Sequence, residues 1–178
     1  DADGAWSDRD RGIVFGHRRL SIIDLSESGR QPMESFDGRY VATYNGEVYN
    51  FEELRSRLQD EHDGELEFRG HSDTEVILAA IATWGIRKTL RRSNGMFALA
   101  VWDRKTSRLH LVRDRLGIKP LYWGQVDGSF VFGSQLSAIA AYPGFDGRID
   151  REAVALLMQF NNIPAPWSVY ENVRKLEP

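Results

Sequence analysis

The chain has 178 residues, of which 42% are hydrophobic, and a formal net charge of -3. That suffices for the core of one domain, and the slight acidic excess offers no general attraction to phosphate backbones or anionic lipid, so neither nucleic-acid nor membrane partners are expected. Cysteine is absent, which excludes disulfides, thiolate metal sites and a cysteine nucleophile among these residues. No apolar run approaches the ~18 residues of a membrane span. The polar start DADGAWSDRDRG also lacks the order of a signal peptide, so a cytoplasmic protein is expected.

In chain order, GIVFGHRRLSII (12–23) alternates loosely and carries β-branched residues, which predicts one or two strands interrupted near Gly16. Arg18 and Arg19 fall on opposite faces of such a strand. One of them therefore faces inward, toward an internal carboxylate or a ligand. SESGRQPM breaks the pattern. RYVATY (39–44) reads as a strand entering Asn45-Gly46, a pair that tolerates the positive φ of a hairpin turn but serves equally in a functional loop. Only four residues separate Gly46 from Phe51, too few for a returning strand of usual length. Phe51, Leu54 and Leu58 then recur at helical spacing behind Asn50 as N-cap.

HSDTEVILAAIATWG predicts a helix with Ser72 as N-cap, Glu75 completing a capping box and Gly85 as the stop. Asp73 sits in its first turn, where the helix dipole favours a carboxylate. The basic run Arg87, Lys88, Arg91 and Arg92 lacks interleaved aromatics and reads as a solvated face. GMFALAVWD and RLHLVRD form a hairpin across RKTS, and PLYWG with SFVFG a second. SQLSAIAAY and REAVALLMQF predict helices, the latter after Asp150, and residues 161–178 turn proline-rich and aperiodic, as a linker does. Hairpins dominate, so the fold class is α+β, antiparallel sheets covered by helices. No P-loop occurs, Ser134 lacks a nucleophile elbow, and His71-Ser72-Asp73 has no second ligand cluster, so no metal site is expected.

Taken together and in order, GHRRLSIIDLSESGRQPM, YVATYNGEVYNFEELRSRL, FRGHSDTEVILAAIATWG, GMFALAVWD and LVRDRLGIKPLYWG resemble the glutamine amidotransferase domain of glutamine-hydrolysing asparagine synthetases. The resemblance implies a four-layer α/β/β/α N-terminal-nucleophile hydrolase fold with two stacked antiparallel sheets. It implies release of ammonia from L-glutamine for ATP-dependent amidation of aspartate, residues 1–160 forming the glutaminase domain and 161–178 leading toward a synthetase domain that would use ATP and Mg; no cofactor is implied on these residues, and a homodimer is compatible with it. By the same resemblance Arg19 holds the glutamine α-carboxylate, Leu20, Ser21, Ile22 and Ile23 continue the glutamine-binding strand, and Asn45 and Gly46 form the oxyanion hole, in a turn that aims two donors. Glu47 and Asp73 engage polar groups of the substrate, Asp73 the α-ammonium.

The sequence departs from the family at its start. The family's nucleophile is its own first cysteine, with the free α-amine as base. DADGAW resembles the residues that follow the family's RHRGP segment, so the nucleophile is expected to lie outside these residues, which alone should not hydrolyse glutamine. Gln135 stands where the family has glutamate. Two rival readings keep part of this: an amidotransferase serving another carboxylate acceptor, as in sugar or antibiotic pathways, and a non-catalytic glutamine-binding or interaction module.

Overall fold

The structure is a computed structural model that describes residues 2–19 and 29–178, with Ala2 and Arg19 described by their backbone alone. It divides into two compact units, Asp1–Leu111 and Val112–Pro178.

The first unit begins with strands β1 (Ala2–Asp8) and β2 (Ile13–Arg19), paired antiparallel from Ala2 opposite Arg19 to Asp8 opposite Ile13. The polar start carries one large apolar residue, Trp6, which is too little to show alternation. The strand forms because Trp6 meets Phe15 across the pair, with ring centroids 5.7 Å apart. β2 passes through Gly16 without the expected interruption, Gly16 standing opposite Ala5. One face of β2 is exposed at Val14, Gly16 and Arg18, while Phe15 on the other is buried.

Strands β3 (Met33–Glu34), β4 (Tyr40–Val48), β5 (Gly95–Asp103) and β6 (Arg108–Arg113) form a four-stranded sheet in the order β3-β4-β5-β6. β4 and β5 pair antiparallel over their whole lengths, from Tyr40 opposite Asp103 to Val48 opposite Gly95. β5 is buried from Phe97 to Asp103, as its unbroken apolar run requires of a strand covered on both faces. Helix α1 (Phe51–Glu61) buries Leu54 and Leu58, and α2 (Asp73–Trp84) buries every residue from Val76 to Ile81. A short α3 (Ile86–Arg92) leads into β5.

Both predicted caps are modified by tertiary demands. The Ser72 hydroxyl accepts the Glu75 N–H at 3.3 Å, but the Glu75 carboxylate accepts from Arg69 N–H and Gly70 N–H at 2.8 and 3.0 Å, so the capping box closes on the preceding loop. Asn50 makes no side-chain cap bond. Its amide instead donates to the Arg92 carbonyl (2.9 Å) and accepts from Asn94 N–H (2.8 Å), tying the start of α1 to the entry of β5.

At the far end of the β4–β5 pair, Asp103 receives Arg39 bidentately (Nε–Oδ1 3.1 Å, Nη2–Oδ2 2.7 Å) and also accepts the N–H groups of Lys105 and Thr106. The guanidinium first, then the turn donors, hold the Asp103 carboxyl down to about 2. A depressed pKa stabilises the fold above the unfolded value and is lost as pH falls through the folded one. Asp103→Asn is therefore expected to cost about 1–2 kcal/mol in urea unfolding at pH 7, solvent screening of the partly exposed Arg39 included. The difference from wild type should close as pH falls from about 4 to about 2.

In the second unit, β7 (Tyr122–Val126) pairs antiparallel with β8 (Ser129–Gly133) on one edge and β9 (Val173–Lys175) on the other. Asp127 and Gly128, at φ 47° and 75°, supply the two positive-φ positions of a tight hairpin. Val126, Val131, Ile139 and Val173 form its core, with Tyr122, Leu136, Phe145 and Tyr170 packed around them. α4 is Leu136–Ala140 and α5 is Arg151–Phe160, the latter capped as expected by Asp150, whose carboxylate accepts Glu152 N–H and Ala153 N–H at 3.0 Å each. Residues 161–178, read from composition as a linker, are built into this unit. β9 lies within them, Tyr170 bridges Ile149, and buried Ser168 donates to the Val173 carbonyl at 2.9 Å. Val173 reaches the core through strand pairing, which proline content and aperiodicity do not reveal.

The RDRLGIKPLYW segment is a hydrogen-bonded loop. Buried Asp114 accepts the N–H groups of Leu116, Ile118 and Lys119 at 3.2, 2.9 and 2.9 Å. Arg113 donates to the carbonyls of Lys119 (2.6 Å), Leu176 (2.7 Å) and Gly117 (2.5 Å).

Candidate functional site

Of the residues singled out by sequence, Asn45, Gly46 and Glu47 lie on one stretch of β4 in the first unit, and Asp73 is bonded to it. Asn45-Gly46 is not a turn: β4 runs straight through it, with Asn45 opposite Ala98 and Gly46 opposite Phe97. Local propensity for positive φ is overridden by a nine-residue strand pairing. What glycine provides here is a close approach. Gly46 has φ 156°, and a Cβ built on it would fall onto the Met96 carbonyl oxygen and 2.5 Å from Phe97 Cα. Asn45 is exposed, Gly46 and Glu47 are half-buried, and Tyr44 and Val48 on either side are buried.

Three side chains hold this stretch. The Tyr44 N–H donates to Gln31 Oε1 at 2.7 Å. The Tyr44 hydroxyl donates to Asp73 Oδ2 at 2.7 Å, and the Val48 N–H donates to the same oxygen at 2.9 Å. Burial first, then the Asp73 charge and hydrogen bond, push the Tyr44 phenol far above its ordinary value, so it keeps the proton it donates. Asp73, 5% exposed at the first position of α2, thus staples the residues on both sides of Asn45-Gly46-Glu47.

The edge of β4 can be followed residue by residue. In an antiparallel strand successive N–H groups point to opposite edges. Those of Tyr40, Tyr44 and Val48 all go to side-chain acceptors, Ser35, Gln31 and Asp73, on the edge away from β5. Gly46 shares that parity, so its N–H points to the same edge. Among the described residues it meets no acceptor. A free backbone donor beside the exposed Asn45 amide is a pair of donors suited to a developing negative charge.

β2 comes to the face of β4 that carries Thr43, Asn45 and Glu47: His17 Nδ1 lies 3.0 Å from Thr43 Oγ1. Arg18 faces outward, its side chain 88% exposed and 3.4 Å from Asp3. Arg19 ends β2 with its backbone opposite Ala2. Its side chain, and Leu20, Ser21, Ile22 and Ile23, lie outside the described residues. The sequence therefore brings Asn45, Gly46, Glu47 and Asp73 to one place. It did not reveal Gln31 or Tyr44. Only the length of β3, two residues, shows that the edge of β4 needs another acceptor.

Comparison with known proteins places these features in a family. The sequence matches the family described as the glutamine amidotransferase domain over residues 1–178. It is 37% identical to asparagine synthetase [glutamine-hydrolyzing] 3 of Bacillus subtilis (strain 168), over 100% of this chain and 28% of that protein. It is 35% identical to amidase chry2 of Gibberella zeae (strain ATCC MYA-4620 / CBS 123657 / FGSC 9075 / NRRL 31084 / PH-1), over 80% of this chain and 20% of that one. The chain thus spans under a third of these relatives. In structure it is similar to glutamine phosphoribosylpyrophosphate amidotransferase from B. subtilis, with TM-score 0.60 and 22% identity over 71% of this chain and 28% of the other. That likeness establishes the fold, the expected α+β fold of an N-terminal-nucleophile amidotransferase. With the family match extending over the full sequence, the chain belongs to the glutamine amidotransferase domain family.

Proposed function

We propose that this chain is the glutaminase part of a glutamine-hydrolysing asparagine synthetase, binding L-glutamine and supporting release of ammonia for ATP-dependent amidation of aspartate. The observation that carries the reading is the Gly46 N–H on the edge of β4 away from β5, without an acceptor among the described residues, adjoining the exposed Asn45 amide and bracketed by bonds to Gln31 and Asp73. In this reading a thiolate attacks the glutamine side-chain carbonyl, and the tetrahedral oxyanion is received by Asn45 and Gly46. Ammonia leaves, and water then hydrolyses the thioester to glutamate. Asp73 meets the α-ammonium through Oδ1, since its bonds to Tyr44 and Val48 both end on Oδ2. Glu47 lies on the same face of β4 as Asn45 and contacts substrate polar groups. Arg19 clamps the α-carboxylate, a role that the outward, ion-paired Arg18 does not compete for.

The sequence contains no cysteine, so the nucleophile is supplied from outside these residues. In this reading ATP and Mg serve the activation of the acceptor, outside these residues. Among the described residues no helix is long and apolar enough to cross a membrane, and a cytoplasmic location is part of the reading. The likeness to amidase chry2 favours a second version, in which ammonia goes to a different carboxylate acceptor.

The test is intact-mass spectrometry of the natural gene product with a diazoketone analogue of glutamine. The expected result is a single adduct, blocked by L-glutamine, on a cysteine outside Asp1–Pro178. A gene product that gains no adduct and releases no glutamate overturns the glutaminase reading and leaves a binding module.

A further inference from the structure

We propose that Gln31 is a positioning residue of this site, whose side chain ends the sheet one step before it would cover the Gly46 N–H. The inference rests on the oxyanion role given to Gly46 above. β3 pairs Met33 with Ala42 and Glu34 with Val41. Continued at the same register, Pro32 would stand opposite Thr43, Gln31 opposite Tyr44, and the backbone two residues earlier opposite Gly46. That continuation would give the Gly46 N–H a carbonyl partner and close the site.

The ladder ends at Met33, the last residue of β3 paired with β4 on this side, and the backbone leaves the edge of β4 at Pro32. Stopping there would strand the N–H of Tyr44, a residue only 4% exposed, and a buried donor without an acceptor costs about 1–3 kcal/mol. Gln31, itself 8% exposed, resolves this with its side chain, Oε1 accepting the Tyr44 N–H at 2.7 Å. One amide oxygen thus replaces one rung of the ladder and no more. Among the described residues the next donor on that edge, Gly46, is left uncovered.

One further contact fixes Gln31, and a second anchor holds the other side of the stretch. Gly4 of β1 lies so close that a Cβ there would fall onto the Gln31 carbonyl oxygen, so the β1–β2 hairpin braces the Gln31 backbone. From the other side Asp73 binds Val48 and the Tyr44 hydroxyl. Between these two anchors the peptide leading into Gly46 has little freedom to rotate, and the donor stays aimed.

The experiment compares Gln31→Met, which keeps length but has no oxygen acceptor, with Gln31→Glu, which restores an acceptor oxygen, in the natural gene product. For Gln31→Met, kcat for glutamine hydrolysis should fall about 10- to 100-fold, as sub-ångström misplacement of a donor does, with KM within about threefold. Gln31→Glu should recover most of the loss. Amidation supplied with free ammonia should be unchanged in both. Should Gln31→Met fail to fold, Gln31→Asn, which draws the oxygen back by one methylene, is read in the same way. Wild-type kcat in Gln31→Met, an equal loss in Gln31→Glu, or a parallel loss of ammonia-dependent activity overturns the proposal. Asn45→Ala serves as the reference. If it too leaves hydrolysis unchanged, the oxyanion assignment of the whole site has failed; if it alone is impaired, only the role of Gln31 has.

Discussion

Asn45→Ala in the natural gene product is expected to lower kcat for glutamine hydrolysis by about 10²–10³-fold, the usual consequence of removing one oxyanion donor. The effect should fall on kcat and kcat/KM together, because the bond is made only as charge develops on the carbonyl oxygen. Stability should barely change. Asn45 is exposed, and its backbone pairing with Ala98 does not depend on the side chain. Asn45→Asp should be at least as impaired, since it replaces the donor with a negative charge beside the oxyanion. Glutamate release under saturating glutamine, with thermal melts of each variant, checks both points. Near-wild-type kcat in Asn45→Ala would remove Asn45 from the mechanism.

Gly46→Ala is expected to act on stability and rate at once. The added methyl would overlap the Met96 carbonyl oxygen and sit 2.5 Å from Phe97 Cα and 2.7 Å from Phe97 Cβ. The obstructing atoms are mainly backbone atoms of β5, so no rotamer change relieves the overlap, and the positive φ of 156° adds strain. Relief requires β4 and β5 to part in the middle of their pairing. A cost of about 3 kcal/mol or more follows, at the upper end of what overpacking incurs. Gly16→Ala is the control, because a Cβ there meets nothing within 4 Å on an exposed position of β2. Its change in urea unfolding should stay within about 0.5 kcal/mol. Equal stability of the two variants would show that β4 does not approach β5 this closely at Gly46.

Much of the architecture is legible because its signals are local. The helical spacing of Leu54 and Leu58, the Ser72 cap before an apolar run, the continuous apolar GMFALAVWD and the Asp150 cap each carry their own physical cause within a few residues. The misreadings have the opposite character. Asn45-Gly46 has turn chemistry, yet it lies inside a strand because β5 pairs with it along its full length. Asn50 has cap chemistry, yet its amide is drawn to Arg92 and Asn94, more than forty residues away. β1 and β9 are strands only by virtue of their partners, Phe15 across from Trp6 in one case and β7 in the other.

The same division runs through the site. By itself the sequence determined the α+β class and the family, and singled out Asn45, Gly46, Glu47 and Asp73, since residue identity and order are properties of the chain. Only the tertiary structure decided that Arg18 faces outward, that Asp73 and Tyr44 brace the strand, and that Gln31 satisfies the edge of β4 before Gly46. These depend on which backbone groups remain after long-range strand pairing has taken the rest. No spacing within a single segment records that remainder.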